Sequence, residues 1–329
     1  METKRKIFII ILFIISVVIA FLLSLTNGSV EISSMQVINI IFGLNNEFID
    51  ETKLQILQNI RLPRTIVAIL VGINLSLSGA ILQAVMKNPL ADPHIIGISS
   101  GAGLFGIFAM LVKGATGVTV TMSAFFGALL AAFLIYLLAW KDGIKPIRII
   151  LAGVAVSAFL GAGISAMLIF YSDKVHSALL WMVGGLSARS WNHVEILYPY
   201  TIIGTIITFL SANHLNILQL GDEVAGSLGL RVDLVRTILT SMAALLAASA
   251  VCVVGLLGFV GLIIPHTARL LIGSDYRFLL PSAALLGAAV LTISDTVART
   301  MFAPTELPVG ILMAILGAPF FLFLLRKEI

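Results

Sequence analysis

Long apolar runs separated by short polar stretches dominate the chain, and most have the length of a membrane-crossing helix. A helix that crosses the hydrocarbon core of a bilayer needs about 20 residues. Ten runs are predicted as spans, covering residues 7–25, 65–86, 95–112, 118–140, 147–170, 196–212, 234–257, 259–272, 278–298 and 307–325. The predicted fold class is therefore an all-α polytopic membrane protein with about ten transmembrane helices, organised as one domain over residues 1–329.

Three segments depart from the simple pattern. The run 259–272 is short and contains Pro265, which predicts a half-length or bent segment lined by protein. The apolar stretch 177–186 is too short to span and is predicted as an interfacial helix. The first run follows a basic cluster at residues 4–6 and lacks a small-residue cleavage site, so a retained span is favoured over a cleaved secretory signal.

Composition supports the membrane assignment. Only 11% of the residues are charged, and the mean hydropathy is +1.11, whereas soluble domains carry roughly 25% charged residues. These values exclude a soluble enzyme, a nucleic-acid-binding module and a disordered chain. The single cysteine, Cys252, lies in an apolar run, so neither a disulfide framework nor a thiolate metal site is predicted.

The positions of the basic residues predict an orientation. With ten spans, both termini lie on one side, and that side carries thirteen of the 20 Lys and Arg residues, while acidic residues divide evenly. Basic residues concentrate on the cytoplasmic side of membrane proteins. The N- and C-termini are therefore predicted to be cytoplasmic.

The interiors of the predicted spans hold almost no ionisable side chains. The exceptions are His266 and Arg269 in the short eighth segment and Asp295 near the end of the ninth. Ion-coupled transporters usually place such groups at mid-membrane, so their scarcity argues against proton or cation coupling. Glycines such as Gly72 and Gly79 are common instead, which predicts close helix packing.

Two arginines flank a proline at the outer mouth of the second span. Because Pro63 disfavours helical geometry at the preceding Leu62, the helix is predicted to begin at Arg64 or Thr65. The preceding stretch 26–64 is predicted as the longest outer loop. Arg61 and Arg64 thus stand where the orientation rule expects few basic residues.

A third outer arginine, Arg299, ends the ninth span, and Glu306 follows it. One interpretation is snorkelling or a local pair, such as Asp295 with Arg299 four residues later. The other is a docking site in which Arg61, Arg64 and Arg299 bind carboxylates of an extracytoplasmic partner, since guanidinium groups make two-pronged contacts with carboxylates.

The inner loop 216–236 contains signals for two short helices. Asp222 is predicted to cap the first helix, Gly229 to end it with a positive φ, and Asp233 to cap the helix that follows. The loop is either an ordinary connection or a docking element for a cytoplasmic partner.

Five ordered motifs extend over nearly the whole chain: RLPR at 61–64, SGAILQAVMKNPLADPHIIGISSGA at 78–102, LGDEVAGSLGL at 220–230, GFVGLIIPHTARLLIGSDYR at 258–277 and LPVGILMAILGAPFFLFLL at 307–325. On these motifs the chain resembles the FecCD-type permease subunits of iron–siderophore, haem and cobalamin ATP-binding-cassette (ABC) importers, also called type II importers. The resemblance covers about residues 20–326.

This resemblance implies a dimer of permease subunits around a central path, two cytoplasmic ABC ATPases and an extracytoplasmic substrate-binding protein. It implies that Arg61, Arg64 and Arg299 meet glutamates of the binding protein. The loop matching 220–230 would form coupling helices that sit in a cleft of the ATPase. The implied coupling residues are Gly221, Asp222, Glu223, Ala225, Leu228 and Gly229.

The expected function is translocation of an iron–siderophore or related chelate across the cytoplasmic membrane of a prokaryote. The chain would be non-catalytic and bind no cofactor or metal, with ATP used by the partner ATPase. Its expected surroundings are membrane lipid, with no nucleic-acid partner. The second, fifth and eighth segments are expected to line the path.

Several alternatives stay open. Haem or cobalamin could replace the iron chelate, and the second permease could be identical or a paralogue. An ion-coupled secondary transporter would need a midplane acid, for which Asp295 is the one candidate. A non-transporting scaffold or channel would not need the docking element in 216–236.

Overall fold

A computed structural model describes residues 2–44, 50–94, 97–141 and 145–328, and these residues form an all-helical structure. The predicted fold class is confirmed. The first helices are α1 (Glu2–Thr26), α2 (Ser34–Phe42), α3 (Glu51–Gln55), α4 (Leu62–Val85), α5 (Ile98–Leu111), α6 (Val118–Ala139), α7 (Pro146–Phe170) and α8 (Val175–Val183). The remaining helices are α9 (Trp191–Leu210), α10 (Ala212–Gln219), α11 (Asp222–Ser227), α12 (Val232–Val254), α13 (Val260–Ile272), α14 (Tyr276–Thr300) and α15 (Val309–Glu328).

Ten of the helices in the described part of the chain match the predicted spans. Seven are long and apolar enough to cross a membrane, and α5, α13 and α15 contribute shorter apolar helices. The short eighth segment is confirmed as α13, whose 13 residues include Pro265. At about 1.5 Å per residue, this helix is too short to cross alone, and most of its side chains are buried against protein. The stretch 177–186, predicted as an interfacial helix, is helical up to Val183 as part of α8, and its interfacial position stays a prediction.

Helix α4 stands at the centre of the bundle. It packs against α14, α12, α13 and α9, and every residue from 74 to 86 is buried. Glycines permit this packing, since a Cβ at Gly79 would collide with the Gly261 carbonyl of α13, and one at Gly72 with Gly287 of α14. The expectation that the second, fifth and eighth segments chiefly line the path stays a prediction, and residues 74–86 of α4 are enclosed by neighbouring helices of the same chain.

The stretch predicted as a long outer loop is largely helical instead. Helix α2 begins with a capping box at Ser33, and α3 continues through a π-helical segment, Ile56–Arg61, directly into α4. Leu62 adopts helical angles of φ −62° and ψ −52°, so the predicted start at Arg64 or Thr65 is wrong. Pro63 comes directly after the π-helical segment, and its missing N–H falls at this change of hydrogen-bond pattern.

The bundle has two polar faces. The arginine face carries Arg61, Arg64 and Arg299 near the C-terminal end of α1. The termini face carries the start of α1, where Lys6 lies over the Phe278 ring, and the loop 220–230. The Leu307 N–H donates to the carbonyl of Ala298, next to Arg299, at 3.1 Å, which places the start of α15 at the arginine face, so its C-terminal end points to the termini face.

Candidate functional site

The loop 220–230 on the termini face folds as one short helix held between two glycines. Gly221 has φ 110° before α11, and Gly229 has φ 85° after it, as predicted for a helix-ending glycine. The Leu230 N–H closes the turn on the Ala225 carbonyl at 3.0 Å. The predicted caps are wrong, because Gly221 and Arg231 occupy the N-cap positions of α11 and α12 without side-chain cap bonds.

Asp222 bridges two other elements instead of capping its own helix. Its Oδ1 accepts from Lys87 Nζ, at the end of α4, at 2.8 Å and from Arg236 Nη2, in α12, at 2.9 Å. Burial alone would raise the pKa of the Asp222 carboxyl, but the hydrogen bonds and charges of Lys87 and Arg236 hold it below its ordinary value. The carboxylate therefore fastens α11 to both neighbouring spans.

The solvent-exposed side of this loop is an apolar ridge formed by Leu220, Val224 and Leu228. Their exposed fractions are 59%, 46% and 61%. Val224 and Leu228 are four residues apart, about one turn of α11, whereas Leu220 ends α10 just before Gly221. Glu223 is exposed beside them, whereas Ala225 is buried and anchors the turn. Sequence reasoning missed Leu220 and Val224 as site residues, although their i, i+4, i+8 spacing with Leu228 was visible.

A polar network lies behind the loop and runs into the bundle. Gln219 Nε2 and Arg269 Nη2 both donate to the Tyr276 hydroxyl at 3.3 Å. Arg269 Nη1 continues to Gln83 Oε1 at 3.1 Å, and Gln83 Nε2 reaches the carbonyls of residues 261 and 262. A series of hydrogen-bonded side chains thus connects α10 with α14, α13 and α4. Arg269, one of the few ionisable side chains within the predicted spans, is part of this connection.

On the arginine face, the three predicted docking residues gather around the end of α1 and are almost fully buried. Arg61, Arg64 and Arg299 are 3%, 5% and 7% exposed. Arg61 donates to the carbonyls of Leu25 at 2.7 Å, Thr26 at 3.0 Å and Val30, and Arg299 donates to the Ser24 carbonyl. Cations at a helix C-terminus stabilise its unpaired carbonyls. Two of the arginines therefore close α1.

The third arginine forms the main ion pair of this face. Arg64 Nε and Nη2 bind the two oxygens of Asp295 at 2.8 and 2.9 Å, and Nη1 binds Glu306 at 2.9 Å. The suggested local pair of Asp295 with Arg299 is wrong, because Asp295 points to Arg64. Glu306 also accepts from the Ser187 hydroxyl at 2.7 Å. Its pKa is lowered, since these bonds and charges outweigh the effect of burial.

In the described part of the chain, no group of three or more His, Cys, Asp or Glu side chains could hold a metal ion. His266 is buried with its ring edge-on to Phe320, at 6.1 Å between ring centres. The two candidate docking surfaces are the exposed ridge on the termini face and the closed charge cluster on the arginine face.

Comparison with known proteins decides the family. The FecCD transport family matches residues 15–327. The chain belongs to the FecCD transport family. It is thus an importer permease, and its predicted family is confirmed. It is 40% identical over 328 residues to the Fe(3+)-citrate import system permease protein YfmE of Bacillus subtilis, covering 99% of this chain and 97% of that relative.

Other relatives of this FecCD permease carry different substrate names. The cobalamin import system permease protein BtuC of Halobacterium salinarum is 42% identical over 281 residues, covering 85% of this chain and 76% of the relative. The hemin transport system permease protein HmuU of Yersinia pestis is 40% identical over 277 residues, covering 82% and 83%. A solved inward-facing metal-chelate type ABC transporter superposes with a TM-score of 0.86 at 30% identity, covering 97% of this chain and 99% of that one.

Proposed function

We propose that this chain is the non-catalytic membrane subunit of an ABC importer that carries an iron chelate across the cytoplasmic membrane of a prokaryote. The observation that carries this proposal is the apolar ridge Leu220–Val224–Leu228, exposed beyond the spans and fastened to them by Asp222. An exposed apolar group on a rigid support is typical of a docking surface. The termini face is then cytoplasmic, in agreement with the bias of basic residues.

Two ATPase subunits would bind at this ridge, one on each permease of a dimer. ATP binding closes the ATPases and displaces α11. Because Asp222 holds Lys87 and Arg236, and α10 connects through Tyr276 and Arg269 to α13, the displacement reaches α4, α12 and α13. The chain itself then needs no cofactor, since the energy comes from ATP in the partner.

The second permease, identical or paralogous, would cover α7 and α15. Both helices expose large apolar side chains beyond what their neighbours cover, among them Phe159, Phe170 and Phe323. Pairing two copies along these helices would place a weakly charged path between them. Such a lining suits a bulky chelate that must pass without being held.

The arginine face would dock the extracytoplasmic binding protein through Arg61, Arg64 and Arg299. The cluster holds three guanidinium groups but only two carboxylates, Asp295 and Glu306, and both bind Arg64, which leaves an excess of positive charge. Excess positive charge suits carboxylates on a partner. As the guanidinium groups are buried, docking would exchange an internal acceptor for one from the partner.

Ion coupling is disfavoured by the state of Asp295. Its carboxylate receives two hydrogen bonds from Arg64, so it is held as a structural ion pair at the arginine face. A non-transporting scaffold would not need the ridge and its connection to the spans. Haem or cobalamin is the second candidate substrate, because relatives at similar identity carry those names.

Transport by the reconstituted importer tests the proposal. Proteoliposomes should contain the permease dimer and ATPase, with the binding protein added on the arginine face. We expect accumulation of ferric citrate or a ferric hydroxamate that requires ATP and survives a proton ionophore. Haem and cobalamin, assayed in parallel with their binding proteins, decide the substrate class. Uptake driven by a proton gradient without ATP would refute the proposal.

A further inference from the structure

A pocket on the arginine face lies outside everything assigned above. It opens between the turn before α6, helix α8 and the end of α12, and its volume is about 290 Å³. Its walls include Gly117, Thr121, Ser177, Trp181, Arg189 and Val253. The mouth is lined by exposed residues of the turn 114–117 and by Ser177. A small solute can therefore reach the interior from the water at this face.

Arg189 is the charged group in this pocket, and it has no acidic partner among the described residues. Its Nε is fully buried and has no acceptor. The carboxylates of the neighbouring cluster, Asp295 and Glu306, are bound by Arg64. Burial lowers the pKa of Arg189 to about 10, so the guanidinium still carries its charge at neutral pH. The side chain as a whole is half-buried, and a buried guanidinium N–H without an acceptor is unfavourable.

The polar side chain next to Arg189 does not satisfy it. His193 Nε2 lies 3.5 Å from Arg189 Nη1. His193 Nδ1 lies 3.2 Å from the Ser190 backbone nitrogen and 3.1 Å from the Ser190 hydroxyl. Because the backbone N–H can only donate, this geometry favours the tautomer with the proton on Nε2. The two nitrogens that face each other are then both donors. This arrangement lacks an acceptor.

The start of α6 adds partial positive charge to the same pocket. Gly117 is the N-cap of this 22-residue helix and offers no side chain to cap it. The N–H groups of Val120 and Thr121 bond back to the Gly117 carbonyl, but no such bond is formed by those of Val118 and Thr119. The N-terminal end of a helix favours anions through its free N–H groups and dipole. Two independent features thus call for negative charge in one cavity.

We propose that this pocket binds a small carboxylate from the compartment at the arginine face, with the Arg189 guanidinium as its principal ligand. The fork of the guanidinium matches the two oxygens of a carboxylate. Thr121 and Ser177 provide hydroxyl groups at the wall, and the Trp181 ring provides an apolar side. The assignment rests on the proposed function only for the orientation that makes this compartment extracytoplasmic.

Trp181 gives a direct readout of occupancy. The whole permease–ATPase complex is placed in lipid nanodiscs without binding protein, and its tryptophan emission is followed while sodium acetate is added. Sodium chloride at equal concentration serves as the reference, and the Trp181→Phe complex defines the signal of all other tryptophans. We expect a saturable change with acetate that depends on Trp181. Since no uptake is measured, this test can fail while the proposed function stands, and the reverse also holds.

Substitutions of Arg189 test whether this side chain is the principal ligand of the acetate. Arg189→Gln should weaken acetate binding at least about tenfold. Arg189→Lys keeps the charge but loses the two-pronged guanidinium group, so its acetate affinity should lie between those of the unsubstituted protein and Arg189→Gln. Lys113→Gln removes a neighbouring cation that is fully outside the pocket lining and should leave the affinity unchanged. An equal response to chloride, no saturable response, or equal affinity in Arg189→Gln would overturn the proposal. So would an Arg189→Gln effect confined to docking of the binding protein.

Discussion

The charged side chains of the two faces differ in burial and in what they bind. On the arginine face, Arg61, Arg64 and Arg299 are buried and bonded internally, so the charge closes helix ends and joins α4 to α14. On the termini face, one partly exposed carboxylate, Asp222, joins a helix to two spans, and the surface beyond it is apolar. The charges of the arginine face are thus bonded within the protein, whereas the termini face exposes apolar side chains.

The ion pairs of the two faces should therefore have different roles, one in the stability of the fold and the other in the position of the ridge. A buried ion pair contributes mainly by avoiding the penalty of a lone buried charge, so breaking it costs far more than forming it contributes. A half-exposed pair contributes little stability but can set the position of a surface helix. Substitutions on the arginine face should therefore reduce stability first, and those on the ridge should reduce partner binding first.

The largest effect is expected at the Arg64–Asp295 pair. Arg64→Gln leaves the buried Asp295 carboxylate without its cation and should reduce the free energy of unfolding by about 3–5 kcal/mol. Denaturant unfolding of the purified permease in detergent measures this loss. The matched control is Arg64→Gln combined with Asp295→Asn, which removes both charges and should lose less. Equal losses in the single and double variants would contradict the assigned role of the pair.

The second effect is expected at the ridge and should leave stability intact. Leu228→Asp places a charge within the exposed apolar ridge and should weaken ATPase binding by about 2 kcal/mol, roughly 30-fold. Binding of the ATPase to immobilised permease measures it. Leu44→Asp alters a leucine of similar exposure, 55%, outside the ridge, and should bind normally. Normal binding by Leu228→Asp would remove the ridge from the interface.

The sequence predicted the spans well because the bilayer imposes both length and apolarity on every crossing helix. It also predicted the turn at Gly229, since a positive φ after a helix favours glycine. It did not predict the partner of Asp295, because Arg64 lies 231 positions away and local spacing favoured Arg299. Pair choice between distant helices depends on packing, which no local pattern encodes.

The errors around Leu62 and Asp222 have a similar origin. A proline weakens helix formation only when its missing N–H and ring conflict with the turn before it, and the π-helical segment up to Arg61 accommodates Pro63. Asp222 lies one residue past the N-cap position, which Gly221 occupies, and its carboxylate binds the charged donors Lys87 and Arg236 instead. In both cases, tertiary context overrode a correct local preference.

A smaller effect tests whether the arginine face can exchange its internal partners for external ones. Glu306→Gln weakens one internal acceptor of Arg64 while Asp295 still holds the side chain. If the guanidinium groups dock partner carboxylates, binding-protein affinity should rise by about 1 kcal/mol, or roughly fivefold. Surface-immobilised binding protein and permease nanodiscs measure this affinity. Glu31→Gln, an exposed acid after α1, is the control, and unchanged or weaker docking in Glu306→Gln would restrict these arginines to structure.

The smallest effect concerns pH and separates the termini face from ordinary surface charge. The pKa of Asp222 is lowered in the folded protein, so its bridge is complete above the ordinary carboxyl pKa of about 4 and is lost as the pH falls through the lowered value. Amide exchange protection of residues 220–230, corrected for intrinsic rates, should therefore stay constant between pH 7 and pH 5. Asp222→Asn should lower that protection at every pH. If the protection of the unsubstituted protein decreased as the pH is lowered from 7 to 5, a group other than Asp222 would hold the ridge in place. The contrast between the two faces would then not rest on Asp222.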